Sequence, residues 1–303
     1  MKKQSAKSAV VILAAVLGVA CAQFGFAQTF KNVLAPASAD IRQVSAGGNS
    51  IWALDSFGNA YFYQIEGGQN FFAGPFSQSF IQISAGGGNS LLSQPDAVWA
   101  LDSSHNIYVY STTSGKFQQV SGTLAQIAVG PGYQDSCHPY EVWGINLISD
   151  VFRYNYCTEQ FVNIPGTLAQ IAVGGAGVWG LNSSGLTYEL DFATLLFNPV
   201  PGKLTQISVG PTDVWGIDAS HKVHQLNPAT QKFGEMKGIT LAQISAGGNG
   251  VWGLSSTGEI FRLEPSSQTF VEIQGQLVTI SSGTGGGVWG ANSSGAAFAF
   301  STP

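Results

Sequence analysis

One pattern of apolar and polar positions runs through the chain seven times. A small, apolar run, L-x-Q-I-x-V/A-G, is followed by an apolar phrase centred on V-W-G-L. A polar turn comes next, then an aromatic stretch, then F-x-x-I/V. The cleanest copies begin at Thr167 and Thr240. Side chains on a strand alternate between its faces, so Trp179 and Leu181 share one side while Val178 and Gly180 share the other. Short alternating runs bounded by glycine and polar residues predict strands, four per copy, here lettered a to d. The seven tryptophans, Trp52, Trp99, Trp143, Trp179, Trp215, Trp252 and Trp289, all lie in strand b, at intervals of 47, 44, 36, 36, 37 and 37 residues. A period in this range marks a solenoid, a propeller or an array.

The turns carry their own signature. Strand a ends in glycine in every copy: Gly47, Gly86, Gly130, Gly174, Gly210, Gly247 and Gly283. Three residues beyond the tryptophan stands Asp or Asn (Asp55, Asp102, Asn146, Asn182, Asp218, Asn292), with Ser255 in the sixth copy. Such side chains bond to nearby amides and start turns. Six residues beyond the tryptophan come Gly58, Gly185, Gly258 and Gly295, replaced by His105 and His221, a position that predicts positive φ. The third copy has NLISD here and predicts a different turn.

The last copy runs out at Phe300 without its strand d, and Thr29–Val33, ahead of the first strand a at Ile41, reads like the strand d of another copy. A ring that borrows its opening strand to finish its last blade has no free edge. A solenoid would need polar capping repeats, and none is visible. The expected fold is therefore all-β, a seven-bladed β-propeller of four-stranded antiparallel blades closed by the N-terminal strand. In such blades the a–b and c–d loops share one end. Two insertions fall there, Gly88–Ala97 and the PGYQDSCHPY segment that carries Cys137. Cys157 lies in the c–d turn of the same copy, so a Cys137–Cys157 disulfide is expected.

Residues 1–27 read as a signal peptide, leaving 28–303 as one propeller domain. Lys2, Lys3 and Lys7 precede an apolar run from Ala9 to Ala20, with small-x-small cleavage sites before Gln23 and Gln28. Cys21 as a lipidated first residue is a weaker reading, because leucine is missing from its usual place. The expected location is secreted or periplasmic. Charged residues are only 10% of the chain and the net charge is −5. A surface this poor in charge suits neutral partners and argues against nucleic acid, which demands a basic stripe. No segment of the mature chain reads as membrane-spanning.

The phrases GVWGLNSSG, VWGLSSTGEIFR and AQIAVG resemble tectonin repeats, as found in tectonins and in fish-egg and horseshoe-crab lectins. The resemblance covers residues 30 to 300. It implies a propeller with sugar sites repeated around the ring, and targets such as lipopolysaccharide or modified cell-surface glycans. Those lectins usually have six blades, and this chain has seven copies. The cadence of IRQVSAGGNSIWALDSFGNAYFY is also similar to the repeats of the regulator of chromosome condensation, which implies a protein-interaction scaffold with the irregular a–b face as its contact surface.

The tryptophans admit two readings, as stacking platforms for sugars or as fillers between adjacent blades, with the following Gly or Ala leaving room for the neighbouring ring. Mid-strand position between valine and leucine favours filling. The sugar contacts are then expected among polar a–b loop residues: Asn49, Thr212, Asp213 and Asn249. Catalysis needs a carboxylate pair, a metal cluster or a nucleophile with its base. Acidic residues are scattered, His138 sits beside a cysteine expected to be disulfide-bonded, and His224 stands where other copies have Tyr or Phe. The sequence predicts no enzyme, no metal and no cofactor; carbohydrate or glycoconjugate is the expected partner.

Overall fold

The computed structural model describes residues 29–36, 38–88, 95–285 and 287–301. The leader, Cys21 and most of the Gly88–Ala97 insertion lie outside them. The described chain forms seven four-stranded antiparallel sheets. β1 (Thr29–Val33) comes first in the chain and last in the ring. Blade 1 is β2 (Ile41–Ala46), β3 (Ile51–Asp55), β4 (Ala60–Glu66) and β5 (Gln69–Ala73). Blade 2 is β6 (Gln82–Gly86), β7 (Ala97–Leu101), β8 (Asn106–Ser111) and β9 (Lys116–Thr123). Blade 3 is β10 (Gln126–Asp135), β11 (His138–Ile145), β12 (Asp150–Asn155) and β13 (Gln160–Thr167). Blade 4 is β14 (Gln170–Gly174), β15 (Gly177–Leu181), β16 (Leu186–Asp191) and β17 (Leu196–Lys203). Blade 5 is β18 (Gln206–Val209), β19 (Val214–Ile217), β20 (Lys222–Asn227) and β21 (Lys232–Thr240). Blade 6 is β22 (Gln243–Gly247), β23 (Gly250–Leu254), β24 (Glu259–Glu264) and β25 (Thr269–Gln276). Blade 7 is β26 (Thr279–Ser282), β27 (Val288–Ala291), β28 (Ala297–Ser301) and finally β1, in register from Thr29 opposite Ser301 to Val33 opposite Ala297.

The blades are joined by apolar side chains, one cluster per interface. All seven tryptophans are buried, the most exposed being Trp289 at 6%. Each points into the next blade. Trp179, for example, packs with Ile207, Val209 and Val214, and Trp215 with Ile244, Ala246 and Val251. Each also meets, edge to face, the phenylalanine of the next blade's outer strand. The pairs are Trp52–Phe117, Trp99–Phe161, Trp143–Phe197, Trp179–Phe233, Trp215–Phe270, Trp252–Phe30 and Trp289–Phe72, with centroids 5.6 to 6.2 Å apart. Such pairs add about 0.5–1.5 kcal/mol beyond area burial. That Phe30 from β1 takes the same place as Phe161 or Phe270 is the side-chain signature of ring closure.

The repeated glutamine of strand a links the blades along the inner strands. Its Oε1 accepts from the backbone N–H of the next blade's isoleucine, in the pairs Gln43–Ile83, Gln82–Ile127, Gln126–Ile171, Gln170–Ile207, Gln206–Ile244 and Gln243–Ile280, at 2.9 to 3.2 Å. At the closing interface Thr279 replaces the glutamine, and only the serine bond remains, Ser281 Oγ accepting from Ala46 N at 3.0 Å as Ser45, Ser208 and Ser245 do from the next blade at theirs. The glycine that follows five of the seven tryptophans has a different purpose from the one the sequence suggested. A Cβ at Gly144, Gly180, Gly216, Gly253 or Gly290 would strike the leucine that opens the same repeat (Leu124, Leu168, Leu204, Leu241 or Leu277), not a neighbouring indole. That leucine is 1 to 2% exposed in each case.

In blade 3 a hairpin projects at the a–b end and is tied down covalently. Cys137 and Cys157 are disulfide-bonded with Cα atoms 5.0 Å apart. Beneath it, fully buried Glu141 accepts from Trp143 Nε1 at 2.6 Å and from Arg153 Nε at 2.9 Å. The guanidinium lies 5.6 Å from the centroids of both Trp143 and Phe192. A buried charge survives only when paired and hydrogen-bonded in this way.

Replacing Trp179 by alanine is expected to cost about 3–5 kcal/mol, read as a lowered midpoint in urea unfolding. A loss below about 1 kcal/mol would show that the inter-blade indole does not hold the ring.

Candidate ligand-binding face

The end of the propeller opposite the projecting hairpin is built from the seven b–c turns and the d–a links. Each turn has the same construction. The Asp or Asn three residues past the tryptophan accepts through one oxygen from the amides two and four residues on: Asp55 from Phe57 N and Asn59 N, both at 2.9 Å, and Asn182 from Ser184 N and Leu186 N, both at 3.0 Å. Ser255 does the same through Oγ, from Thr257 N at 3.3 Å and Glu259 N at 3.1 Å. The third blade does not depart from this scheme, contrary to the expectation from NLISD. Asn146 Oδ1 accepts from Ile148 N at 3.0 Å and Asp150 N at 2.8 Å, and Ser149 takes the left-handed backbone at φ 72°. His105 and His221 occupy that position at 64° and 63°, where Gly58 has 83°. The Asx bonds define the turn, so the left-handed residue need not be glycine.

The second carboxylate oxygen reaches inward. Asp55 Oδ2 accepts from Tyr61 OH at 3.0 Å, Asp102 Oδ2 from Tyr108 OH at 3.2 Å, and His224 Nε2 lies 2.9 Å from Asp218 Oδ2. His224 is thus more than packing, since it makes the bond that tyrosine makes elsewhere. Burial works to raise the Asp55, Asp102 and Asp218 carboxyls, but their hydrogen bonds outweigh it and hold all three below the usual carboxylate range. The reciprocal effect, burial first and then Asp55, pushes Tyr61 up to about 12.

Locked in this way, the turns present short polar side chains to solvent, and shallow pockets open where one blade's turn faces the next. Three have congruent walls, at the blade 1/2, 4/5 and 6/7 junctions, with volumes of about 660, 610 and 550 Å³. Each is lined by a strand-a glutamine (Gln43, Gln170 or Gln243), the last leucine of strand b (Leu54, Leu181 or Leu254) and a serine from the following blade's turn (Ser103, Ser220 or Ser293). They differ in charge: Arg42 and Asp55 beside the 76% exposed Phe57 in the first, Lys203 and Asp218 in the second, and only neutral groups such as Ser256, Thr257 and Gln276 in the third. Backbone, amide, hydroxyl and aliphatic surface in a shallow cleft suit a hydroxyl-rich neutral ligand.

The residues expected from sequence to touch sugar lie at the other end, on three separate loops. The main-chain amide of Asn49 donates to Asp96 at 2.9 Å, part of a set in which that carboxylate also takes Gly48 N, Ser50 N, Ser50 Oγ and Gly88 N. Asp213 accepts from Trp215 Nε1 at 2.8 Å, and the Asn249 carbonyl from Trp252 Nε1 at 3.0 Å. Thr212 is exposed. The lining of the three congruent pockets was hidden in plain view: the D/N-S-S-G run was legible as a turn, but its pairing across blades is a tertiary property. Among the described residues, no group of three or more His, Cys, Asp or Glu is placed to hold a metal ion, and no helix is long and apolar enough to cross a membrane.

A Tectonin domain model matches residues 40–134 and 133–194. No curated protein matches the sequence. Among solved structures, human WBSCR16 superposes with a TM-score of 0.64 at 10% identity, over 88% of both chains. YCF48 bound to D1 peptide gives 0.63 at 11% identity, over 90% of this chain and 95% of that one. PorZ, a bacterial surface component of the type-IX secretion system of Porphyromonas gingivalis, gives 0.60 at 11% identity, over 88% of this chain and 37% of its own. At such identities the shared property is the propeller fold.

The lowered carboxyls fix a pH dependence. A depressed folded-state value means stability that is fully present above the unfolded value of about 3.9 and is lost as pH falls through the folded one. Urea midpoints are expected to hold steady from neutrality to about pH 5 and to decline below about pH 4, and Asp55→Asn should reduce that decline. An acid limb identical in wild type and variant would dismiss Asp55 as a contributor.

Proposed function

The chain belongs to the Tectonin domain family, and on that premise we propose that it is an exported, lectin-like propeller that binds glycans at repeated shallow sites. The observation that carries the reading is the set of three congruent pockets on the b–c and d–a face. A pyranose presents hydroxyls at its edge and an aliphatic face, matching turn serines and amides set beside the exposed Ile81 and Val278 in two of the three pockets. Each site alone is weak, and spaced sites on a rigid ring gain avidity toward a polymer that can reach several at once. The buried indoles serve this indirectly, by fixing the angle between neighbouring turns.

Export is part of the same proposal. The disulfide fits an oxidising compartment, and the leader of residues 1–27 supplies the route. A second reading, contact with a protein partner, draws its support from the projecting disulfide-clamped hairpin of β10 and β11.

A glycan array that includes lipopolysaccharide is expected to give signal on at least one repeating glycan. Filling two pockets with Ser184→Trp and Ser256→Trp should lower avidity for that polymer by about tenfold or more. No signal above background on any glycan ends the lectin reading. Capture of a protein partner, lost on trimming 131–140 and indifferent to free sugar, would favour the second. N-terminal sequencing of the exported protein is expected to read from Gln23 or Gln28.

A further inference from the structure

We propose that the seam between blades 6 and 7 is a two-compartment site for a glycoconjugate whose sugar carries an apolar aglycone. The inference rests on the sugar-binding reading above and adds a ligand class to one of its pockets.

The seam is unlike the blade interfaces before it because its outer strand is short. In blades 2 to 6 the outer strand runs eight or nine residues and re-pairs with strand c after a bulge, as in Asn106 opposite Thr123 and Glu259 opposite Gln276. β1 has five residues and its last pair is Val33 with Ala297. The chain then leaves for blade 1, where Leu34 bridges to Phe71. The stretch of blade 7 that an outer-strand tail would cover is left open.

A second cavity of about 470 Å³ lies there, walled by Phe30, Phe298, Ile260 and Asn292, by the bulged end of β25 from Gln274 to Gln276, and by Leu277 just beyond it. It shares Gln276 and Leu277 with the blade 6/7 face pocket of about 550 Å³, so the two chambers adjoin. Their chemistry differs. The face pocket offers Ser255, Ser256, Thr257 and Gln243, whereas the outer chamber adds two half-buried aromatic rings, Phe30 and Phe298, beside Asn292 and Gln274. Where blades 1 and 2 carry a tyrosine hydroxyl bonded to the turn aspartate, blade 7 has Phe298, which adds no polar group to the wall. A ligand filling both chambers needs a hydroxyl-bearing ring joined directly to an apolar group. An aryl or alkyl glycoside has that form.

The test uses calorimetric titration of the propeller with methyl and 4-nitrophenyl glycosides of glucose, galactose, mannose and N-acetylglucosamine. At least one aryl glycoside is expected to bind about tenfold tighter than its methyl partner, the gain of burying a ring. Phe298→Ala, which removes a wall, and Gln274→Trp, which crowds the chamber from the exposed bulge, should each erase that gain while leaving the methyl glycoside within about twofold. Should Phe298→Ala fail to fold, Gln274→Trp decides alone. Equal affinity for aryl and methyl forms, or a gain that survives Gln274→Trp, overturns the two-compartment site and leaves the sugar reading standing. Binding of neither form of any sugar overturns both.

Discussion

The edge-to-face contact between a tryptophan on one blade and a phenylalanine on the outer strand of the next obliges seven small sheets to become one object. A four-stranded blade is apolar on both faces and cannot bury either alone. Trp179 and its equivalents extend from strand b across the gap, and the phenylalanine receives the ring at its far side. Because donor and receiver sit on different strands, every blade is committed to two neighbours. Such a chain of obligations closes only when the last blade finds the first, and Phe30 is the residue through which it does so. The glutamines of strand a repeat this logic in hydrogen bonds, each amide oxygen satisfying an isoleucine N–H one blade away. Burial and polar satisfaction thus run round the ring in the same direction.

Regular packing inside leaves the loop ends free to vary. One end is consumed by internal bonding, with Asp96 taking five donors from two blades and the indoles of Trp215 and Trp252 tied to their own loops. At the other, the Asx bonds fold inward, so the turn's outward side chains are spare. Repetition of one turn on a rigid ring gives repeated clefts, and drift at single rim positions such as Arg42, Lys203 and Ser256 gives each its own character. The propeller fold persists in proteins of about 10% identity, as expected when the core and the surface are under separate demands.

The sequence made the architecture readable because the determinants were local and periodic: tryptophan at fixed intervals, glycine at the close of strand a, Thr29–Val33 echoing an outer strand. Cys137 and Cys157 were pairable once the repeat map placed them at one end of one blade. The partners that many individual side chains find were not readable. Gln170 looks like an ordinary strand residue until Ile207 is seen beside it, and Gly180 owes its identity to Leu168, twelve positions back. The NLISD segment misled because no glycine stands where a left-handed residue is required, yet Ser149 adopts that conformation under the two Asn146 bonds. The candidate sugar residues Asn49, Thr212, Asp213 and Asn249 stand out in the sequence as polar a–b loop positions, whereas the congruent clefts form only where turns of neighbouring blades meet.

The register that sets Thr29 opposite Ser301 brings the two ends of the described chain side by side on neighbouring strands. A short tether joining them, with a fresh break in an exposed c–d hairpin such as that between β20 and β21, would trace a different order through space and preserve the contacts between sheets. The point at which the polypeptide starts is thus immaterial to the packing. The closing wedge is marked not by its place in translation order but by the missing amide clamp at Thr279, a seam that a circularly permuted chain would carry, unchanged, into its interior.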